Sequence, residues 1–320
     1  MTDLFENNSS NNCRLADELV YVGFSWIIIV ELILGLPLNI TVLYTFIFKL
    51  RFCKANKNMV FLFNLVLSDF LMLACLPLKV YQFQRGERCS ANMVLCKVIT
   101  FTQIMNRGAS ITFMTIISID RYLNVVHPQK KNILKVVKQS PILSVIIWLL
   151  LLLLAIPVMV TPFRCAQGYG PEEDEVMDIL RQAMFFTKIL VPFVILAFCT
   201  ARIIHRLQER SVGDQKKLRR AIFAVTSVVV VFSFCFLPCV ASKVFMLVRR
   251  RQKQPDALEI AAEVYDGIFT FSQIDCLLDP LVYCFYSSKF KNMYLSTFFS
   301  FLQKKNKQHN DKKKTIKEYI

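Results

Sequence analysis

The chain has 320 residues, of which 55% are hydrophobic and 19% are charged, and its mean hydropathy is +0.45. A soluble domain carries about 25% charged residues, so these values exclude an ordinary soluble globular protein. The formal net charge of +16 would suit a nucleic-acid partner, but the basic residues lie in short segments between apolar blocks. That distribution excludes nucleic acid and indicates a membrane protein.

Seven apolar blocks predict seven membrane-spanning helices, and hence an all-α bundle. Each block is long enough to cross ~30 Å of hydrocarbon at about 1.5 Å per residue. The predicted spans cover residues 22–48, 58–84, 93–125, 140–162, 180–205, 217–247 and 259–285. We divide the chain into an N-terminal segment (1–21), the bundle (22–285), an amphipathic helix (286–303) and a basic tail (304–320).

The basic residues predict how the chain is oriented. Lys and Arg gather in alternate loops, over residues 49–57, 130–138 and 206–220, and again in the tail. The positive-inside rule therefore predicts a cytoplasmic C-terminus and an extracellular N-terminus. Residues 249–253 form a basic segment on the predicted outer side. This exception does not change the orientation, because the other loops all agree. Asn7 and Asn8 both begin N-x-S sequons in the outer segment, so we expect glycosylation there.

Several polar residues inside the predicted spans need an explanation, because a charged side chain at a helix centre costs ~2.5–3.5 kcal/mol on insertion scales. Asp120-Arg121-Tyr122 stands at the inner end of the third span. Proline interrupts five different spans, where the freed carbonyls permit kinks. The buried polar residues at similar depth are Asn39, Asp69, Ser110, Asp275 and Asp279, and the prolines are Pro77, Pro157, Pro192, Pro238 and Pro280.

A set of cations in the outer halves of the spans points to an anionic ligand. Arg107 lies eleven residues, about 16 Å of helix, inside Cys96. If Lys79, Lys188 and Lys243 also face the interior, the four cations form an anion trap. A carboxylate that docks bidentately on Arg107 is then the natural ligand group.

Two alternatives remain open for these cations. The lysines could instead extend their ammonium groups to the outer headgroups. Arg107 is too deep for that, but it could pair internally with Asp275 or Asp69.

The motifs resemble those of rhodopsin-like G-protein-coupled receptors, over every span and in the right order and spacing. The resemblance implies a multi-pass receptor of the plasma membrane that partners a heterotrimeric G protein and is not an enzyme. The matching residues are Asn39, Leu65-Val66-Leu67-Ser68-Asp69, Asp120-Arg121-Tyr122, Trp148, Pro192, Cys235-Phe236-Leu237-Pro238 and Asp279-Pro280-Leu281-Val282-Tyr283.

The resemblance assigns roles to some of these residues. It implies a disulfide between Cys96 and Cys165, and we expect the other two outer cysteines, Cys13 and Cys89, to pair. Phe236 departs from the common Trp, and Thr200 from the common Tyr. The residues implied for the G-protein switch are Asp120, Arg121, Tyr122, Phe236, Pro238 and Tyr283.

The resemblance also implies a sodium pocket, with more acidic residues than is usual. Three neighbouring carboxylates cannot all ionise cheaply, so we expect a sodium ion or a proton to be retained there and to stabilise the inactive state. No other cofactor is expected. The residues expected around the pocket are Asp69, Asn106, Ser110, Asp275 and Asp279.

A narrower resemblance, to hydroxycarboxylic acid and oxoeicosanoid receptors, bears on the ligand. It is carried by Met105-Asn106-Arg107, Ala109-Ser110, Arg121-Tyr122 and Val125-Val126-His127-Pro128. The resemblance implies that Arg107 holds a ligand carboxylate, that Lys243 is a second basic site, and that inhibitory G proteins are the partners. Gln273 replaces a Tyr and Lys188 replaces an acid, so we expect a longer, lipid-like carboxylate such as an oxidised fatty acid.

After the last span, apolar residues recur at helical spacing. The pattern predicts an amphipathic helix on the inner leaflet, where its lysines and those of the tail attract anionic membrane lipids. The residues of the apolar face are Phe290, Met293, Tyr294, Thr297, Phe298 and Phe301.

Four other functions compete with that of a carboxylate receptor. A basic pocket also suits a nucleotide or peptide agonist in the same fold. A proton or anion transporter would explain buried charges but not Asp120-Arg121-Tyr122 beside a basic inner face. An opsin is excluded because Gln273 stands where retinal needs a Lys, and no catalytic constellation forms around His127, His205 or His309.

Overall fold

The computed structural model describes residues 18–49, 59–86, 93–127, 140–160, 175–208, 215–252, 255–286, 290–297 and 299, and every regular element within them is helical. The helices are α1 (Glu18–Tyr44), α2 (Met59–Gln84), α3 (Met93–Val126), α4 (Ser140–Val160), α5 (Glu175–Gln208), α6 (Gln215–Arg251), α7 (Pro255–Phe271), α8 (Asp275–Tyr286) and α9 (residues 290–297).

These helices confirm the seven apolar blocks as helical. The predicted sixth block at 217–247 becomes α6, which continues to Arg251, and the seventh block becomes α7 and α8 joined by a short turn. By length and composition, four helices of the described chain are apolar enough to cross a membrane: those over Glu18–Lys49, Met59–Gln84, Ile179–Arg206 and Ile222–Arg251. The apolar part of α4, Pro141–Ile156, is shorter.

The helices pack as a closed ring with α3 at its centre. Each helix from α1 to α4 contacts the next one in the sequence. Helix α5 packs on α3 rather than on α4, and α7 and α8 both contact α1. Large apolar side chains on α4, among them Leu149, Leu150 and Leu153, are more than half exposed and form the surface that meets lipid. The interior instead holds the aromatic rings of Phe113 and Phe232.

The break between α7 and α8 is a 3-10 turn over Ser272–Ile274. Below it, Pro280 lacks an N–H, so the carbonyl of Cys276 four residues earlier has no helical donor. The Asn39 side chain of α1 donates to that carbonyl at 2.8 Å. An unmatched carbonyl is costly inside a membrane, so this bond explains why a buried amide faces a proline-bearing helix.

The described part of the predicted amphipathic helix has one buried face. Phe290, Tyr294 and Thr297 are buried, whereas Lys291 is exposed. Phe290 packs on Phe46 of the π-helical turn that ends the first span, with ring centroids 5.0 Å apart. The apolar face therefore packs against the bundle, and the predicted face residues Phe298 and Phe301 are outside the description of the side chains.

Candidate functional site

Arg107 lies on α3 inside the ring, and its guanidinium is held by α6 and α7. Nη2 donates to the hydroxyl of Ser272 and, at 3.6 Å, to the sulfur of Cys239. The guanidinium also lies over the ring of Phe269, 4.1 Å from its centroid, a cation–π contact. Since Ser272 is in the 3-10 turn, the break between α7 and α8 is what brings a hydroxyl to this cation.

The hydrogen bonds of Arg107 do not go to a carboxylate. Asp275 attracts the guanidinium electrostatically, but the bonds of Nη2 go to Ser272 and Cys239 rather than to Asp275 or Asp69. Nη1 is buried and has no hydrogen-bond partner. Arg107 thus keeps one N–H edge that is able to bind a ligand.

Arg107 also lines a small cavity between α2, α3 and the junction of α7 and α8. Gln103 lies one helical turn before Arg107, on the same face of α3, and its Nε2 is also buried without a partner. Across the cavity, Oε1 of Gln273 is buried and unpartnered as well. The residues that line the cavity are Met72, Gln103, Asn106, Arg107, Phe269, Ser272, Gln273 and Asp275.

The three predicted lysines do not line this cavity. Lys79 stacks over the ring of Phe83 at 4.2 Å, and Lys243 lies 5.0 Å from the ring centroid of Tyr265. Lys188 is exposed on α5. The structure therefore brings Arg107 and Gln273 together. Lys79 and Lys243 are partly buried and lie nearer the Cys96 end of the bundle.

The predicted sodium-pocket residues are buried together below the cavity. Asp69 is fully buried and accepts hydrogen bonds from Asn106 and Tyr283, each at 3.3 Å. Asp279 interacts electrostatically with Asp69. Both Asp279 oxygens and the Ser110 hydroxyl are buried without a hydrogen-bond partner.

The third predicted acid, Asp275, has different contacts from Asp69 and Asp279. It lines the Arg107 cavity and accepts a bond from the backbone N–H of Cys276. Within the described parts of the chain, no three His, Cys, Asp or Glu side chains are grouped so that they could hold a metal ion. A sodium ion would therefore need the neutral oxygens of residues such as Ser110 as well as carboxylates.

Three residues of the predicted switch, Asp120, Arg121 and Tyr122, lie at the opposite end of α3 from Cys96. Asp120 is buried and accepts a 3.0 Å bond from Asn124 one turn later. The hydroxyl of Tyr122 lies 3.1 Å from Nε2 of His127. Arg121 is thus flanked by two side chains that bond to nearby residues of the same segment.

The two departures from the common pattern sit inside the bundle. Phe236, two residues before Pro238, is buried and contacts both the ring of Phe232 and the guanidinium of Arg107, 5.5 Å away. The Thr200 hydroxyl donates to the carbonyl of Leu196 in its own helix. Phe236 therefore links the cationic site to α6, the helix that carries the switch proline.

Some predicted residues lie outside the described chain. Cys96 is disulfide-bonded, but Cys165 is among the residues that the structure does not describe. The same holds for Cys13 and Cys89, and for the sequons at Asn7 and Asn8, so these remain predictions.

The sequence reasoning missed several residues of the site, which are Ser272, Cys239 and Phe269 around the guanidinium, Met72 and Gln103 in the cavity wall, and Glu31. Gln103 had a signal, since it lies four residues before Arg107. Glu31 of α1 is 4% exposed, interacts electrostatically with Asp275, and has two unpartnered carboxylate oxygens. The only signal for Glu31 in the sequence was the presence of one acidic residue within an apolar span.

Comparison with known proteins agrees with this architecture. Residues 38–283 match the family model described as 7 transmembrane receptor (rhodopsin family). The chain belongs to that family: it is a G-protein-coupled receptor that crosses the plasma membrane several times, not an enzyme.

Three relatives from Homo sapiens illustrate the similarity. The chain is 31% identical to the 12-(S)-hydroxy-5,8,10,14-eicosatetraenoic acid receptor, over 90% of this chain and 92% of the relative. It is 29% identical to hydroxycarboxylic acid receptor 2, over 94% and 84% of the two chains. For oxoeicosanoid receptor 1 the identity is 28%, over 86% and 72%.

Proposed function

We propose that this receptor binds an anionic carboxylate, an oxidised or hydroxy fatty acid, and signals through inhibitory G proteins. The observation that carries the proposal is the unpartnered Nη1 of Arg107 at a cavity in the centre of the bundle. The names of the three relatives also refer to carboxylic acids or oxidised lipids.

The chemistry of Arg107 favours a carboxylate over a neutral ligand. An arginine near mid-membrane costs ~2.5–3.5 kcal/mol on insertion scales unless it is paired. Ser272 and Cys239 supply acceptors but no negative charge. A carboxylate supplies both, and hydrogen bonds to charged groups contribute ~1.5–3 kcal/mol each.

The surroundings of the cavity favour an acid with an apolar chain. Met72 and Phe269 form part of its wall, and an acyl chain would pack on such surfaces. Lys243 and Lys79, both partly buried, lie on helices that lead from the Cys96 end, and there they would attract an anion before it reaches Arg107. Lys188, exposed on α5, would act from the membrane side.

We also propose that the N-terminus is extracellular and that Arg121 meets the G protein at the cytoplasmic end. The basic loops over residues 49–57, 130–138 and 206–220 support this orientation. A sodium ion or a proton held by Asp69, Ser110 and Asp279 would stabilise the inactive receptor. The unpartnered oxygens of Ser110 and Asp279 support such a site.

The test is inhibition of cyclic AMP formation in cells that express the receptor, with a panel of saturated, hydroxy and oxo fatty acids of graded length. Arg107→Ala should abolish the response, because no other cation lines the cavity in the described structure. Arg85→Ala is the matched control, since that arginine is exposed and stacks on Tyr81. Its response should equal that of the wild type at equal surface expression.

Two results would contradict the proposal. One is a receptor that ignores every acid and responds to nucleotides or peptides instead. The other is an acid response that survives Arg107→Ala. A response that persists after inhibitory G proteins are inactivated would overturn the coupling alone.

A further inference from the structure

Lys188 is a charged side chain on a surface of α5 that is otherwise suited to lipid. The apolar stretch of this helix, Ile179–Arg206, is long enough to cross the membrane, and Lys188 lies nine residues, about 14 Å, inside it. Met184 and Val191, one turn before and one turn after Lys188 on the same face, are 42% and 50% exposed. Lys188 is exposed as well, so it belongs to the surface of the bundle rather than to its interior.

The described part of the chain does not neutralise this charge. No hydrogen bond or ion pair joins the Lys188 ammonium to another side chain there. A charge within a membrane span is costly unless it is paired. The flexible stem of a lysine lets its ammonium extend toward the headgroups, but this stem begins well inside the apolar stretch. An anion that reaches the ammonium within the membrane would remove the cost.

A second cation on the same face of α5 indicates which anion fits. Arg181 is exposed and lies seven residues before Lys188, which is two turns or about 10 Å nearer the end of the span. At that end it can meet the phosphates of phospholipids. A phospholipid carries its phosphate outside two acyl ester groups, whereas a fatty acid carries its carboxylate directly on the chain. The deeper cation, Lys188, therefore favours a single-chain carboxylic acid.

The surface beyond Lys188 suits an acyl chain. Val191 and Val194, 50% and 65% exposed, continue the apolar surface toward the middle of the membrane. Helix α5 packs on α3 rather than on α4, and these side chains are left open to lipid. Because lipid tails are as apolar as the helix surface, this contact alone does not hold one chain in preference to another. The pairing of carboxylate and ammonium must supply the preference.

We propose that Lys188 is a docking site for the carboxylate of a long-chain fatty acid dissolved in the outer leaflet, with its acyl chain lying along α5. The ammonium donates to the carboxylate in a charge-assisted hydrogen bond. The site is on the surface of the bundle and is separate from the cavity at Arg107, so it goes beyond the proposed function. It holds a fatty acid at the receptor at a higher concentration than in the surrounding membrane.

The experiment is photo-crosslinking of the purified, full-length receptor in phosphatidylcholine nanodiscs. The probe is hexadecanoic acid with a diazirine on its chain and a terminal alkyne, and mass spectrometry identifies the labelled peptides. Labelling of α5 should saturate, and unlabelled hexadecanoic acid should compete for it. The methyl ester of that acid has the same chain but no charge. It should compete about tenfold less well, a difference of ~1.4 kcal/mol.

Variants then assign the labelling to the ammonium. Lys188→Gln should weaken the labelling of α5 about tenfold, because it removes the charge, whereas Lys188→Arg keeps a cation and should retain most of the labelling. Lys291→Gln is the matched control, since Lys291 is an exposed lysine on α9 at the other side of the membrane, and it should leave the labelling of α5 unchanged. Arg107→Ala should also leave it unchanged, because the two sites are separate.

Three results would overturn the proposal. One is a methyl ester that competes as well as the acid, a comparison that uses the wild type and does not depend on the folding of a variant. Another is labelling of α5 in Lys188→Gln that equals that of the wild type. The third is phosphatidylserine that competes as well as the fatty acid, since the ammonium would then bind phospholipid headgroups. No agonist response is measured, so these results are distinct from those that would refute the proposed function.

Discussion

The hydrogen bond between Trp148 and Asn64 should be a measurable part of the stability of this receptor. Nε1 of Trp148 on α4 donates to Oδ1 of Asn64 on α2 at 2.8 Å, and the amide of Asn64 donates onward to Ser144. Asn64 is 8% exposed, so a lost partner is not replaced by water. Trp148→Phe keeps an aromatic ring against Phe113, 6.1 Å away between centroids, but removes the donor.

The size of the effect follows from the geometry. A buried acceptor left without its partner costs ~1–3 kcal/mol, and hydrogen bonds between membrane helices average ~0.6 kcal/mol, with a maximum near ~1.7. We therefore expect a coupling energy of about 1 kcal/mol between Trp148→Phe and Asn64→Leu. Trp148→Phe alone should lower the unfolding temperature by about 2–4 °C per kcal/mol lost.

A double-mutant cycle isolates the energy of the Trp148–Asn64 bond. The loss of ring volume at Trp148 and the loss of the Asn64–Ser144 bond occur in both backgrounds of the cycle, so these two contributions cancel. Thermal unfolding in detergent micelles can be followed with a thiol-reactive fluorophore, since the free thiols of Cys199, Cys235 and Cys276 are buried in the folded chain. Effects that add to within ~0.3–0.5 kcal/mol would refute the reasoning.

Two further predictions concern packing and the buried acids. A Cβ at Gly267 would lie 2.6 Å from Cζ of the Phe24 ring, so Gly267→Ala should destabilise the protein by ~1–3 kcal/mol in the same unfolding assay. Gly23→Ala, whose Cβ meets nothing within 4 Å, should not, and equal shifts would contradict this. If sodium binds at Asp69, sodium at ten times its dissociation constant should stabilise the wild type by about 1.4 kcal/mol relative to a bulky organic cation. Asp69→Asn should show no such dependence, and an undiminished sodium effect in that variant would contradict the site.

Much of the architecture could be predicted because the membrane imposes it. A span of fixed thickness requires long apolar helices whose backbone bonds are internal, and α1 through α8 follow the apolar blocks closely. Arg107 was also recognisable from the sequence alone, since a cation fourteen residues inside a span that begins at Met93 demands an interior partner. The family was predictable for the same reason, because its polar motifs stand out against apolar surroundings.

The directions of the side chains were less predictable. In a soluble protein the polar face of a helix identifies the side that meets water, but a membrane helix is apolar toward lipid and core alike. The sequence therefore did not show whether the side chains of Lys188 and Lys79 point to the lipid or to the interior of the bundle. The structure exposes Lys188 and partly buries Lys79.

The sequence by itself determined that seven apolar helices cross a membrane and that a cation lies among them, because hydropathy and the cost of a buried charge depend on composition and spacing. Only the tertiary structure decided what surrounds that cation. The 3-10 turn over Ser272–Ile274 places the Ser272 hydroxyl against Arg107, and Gln103 of α3 and Gln273 of the turn line one cavity. Such contacts depend on helix rotation and distance, which residue spacing within each helix does not fix.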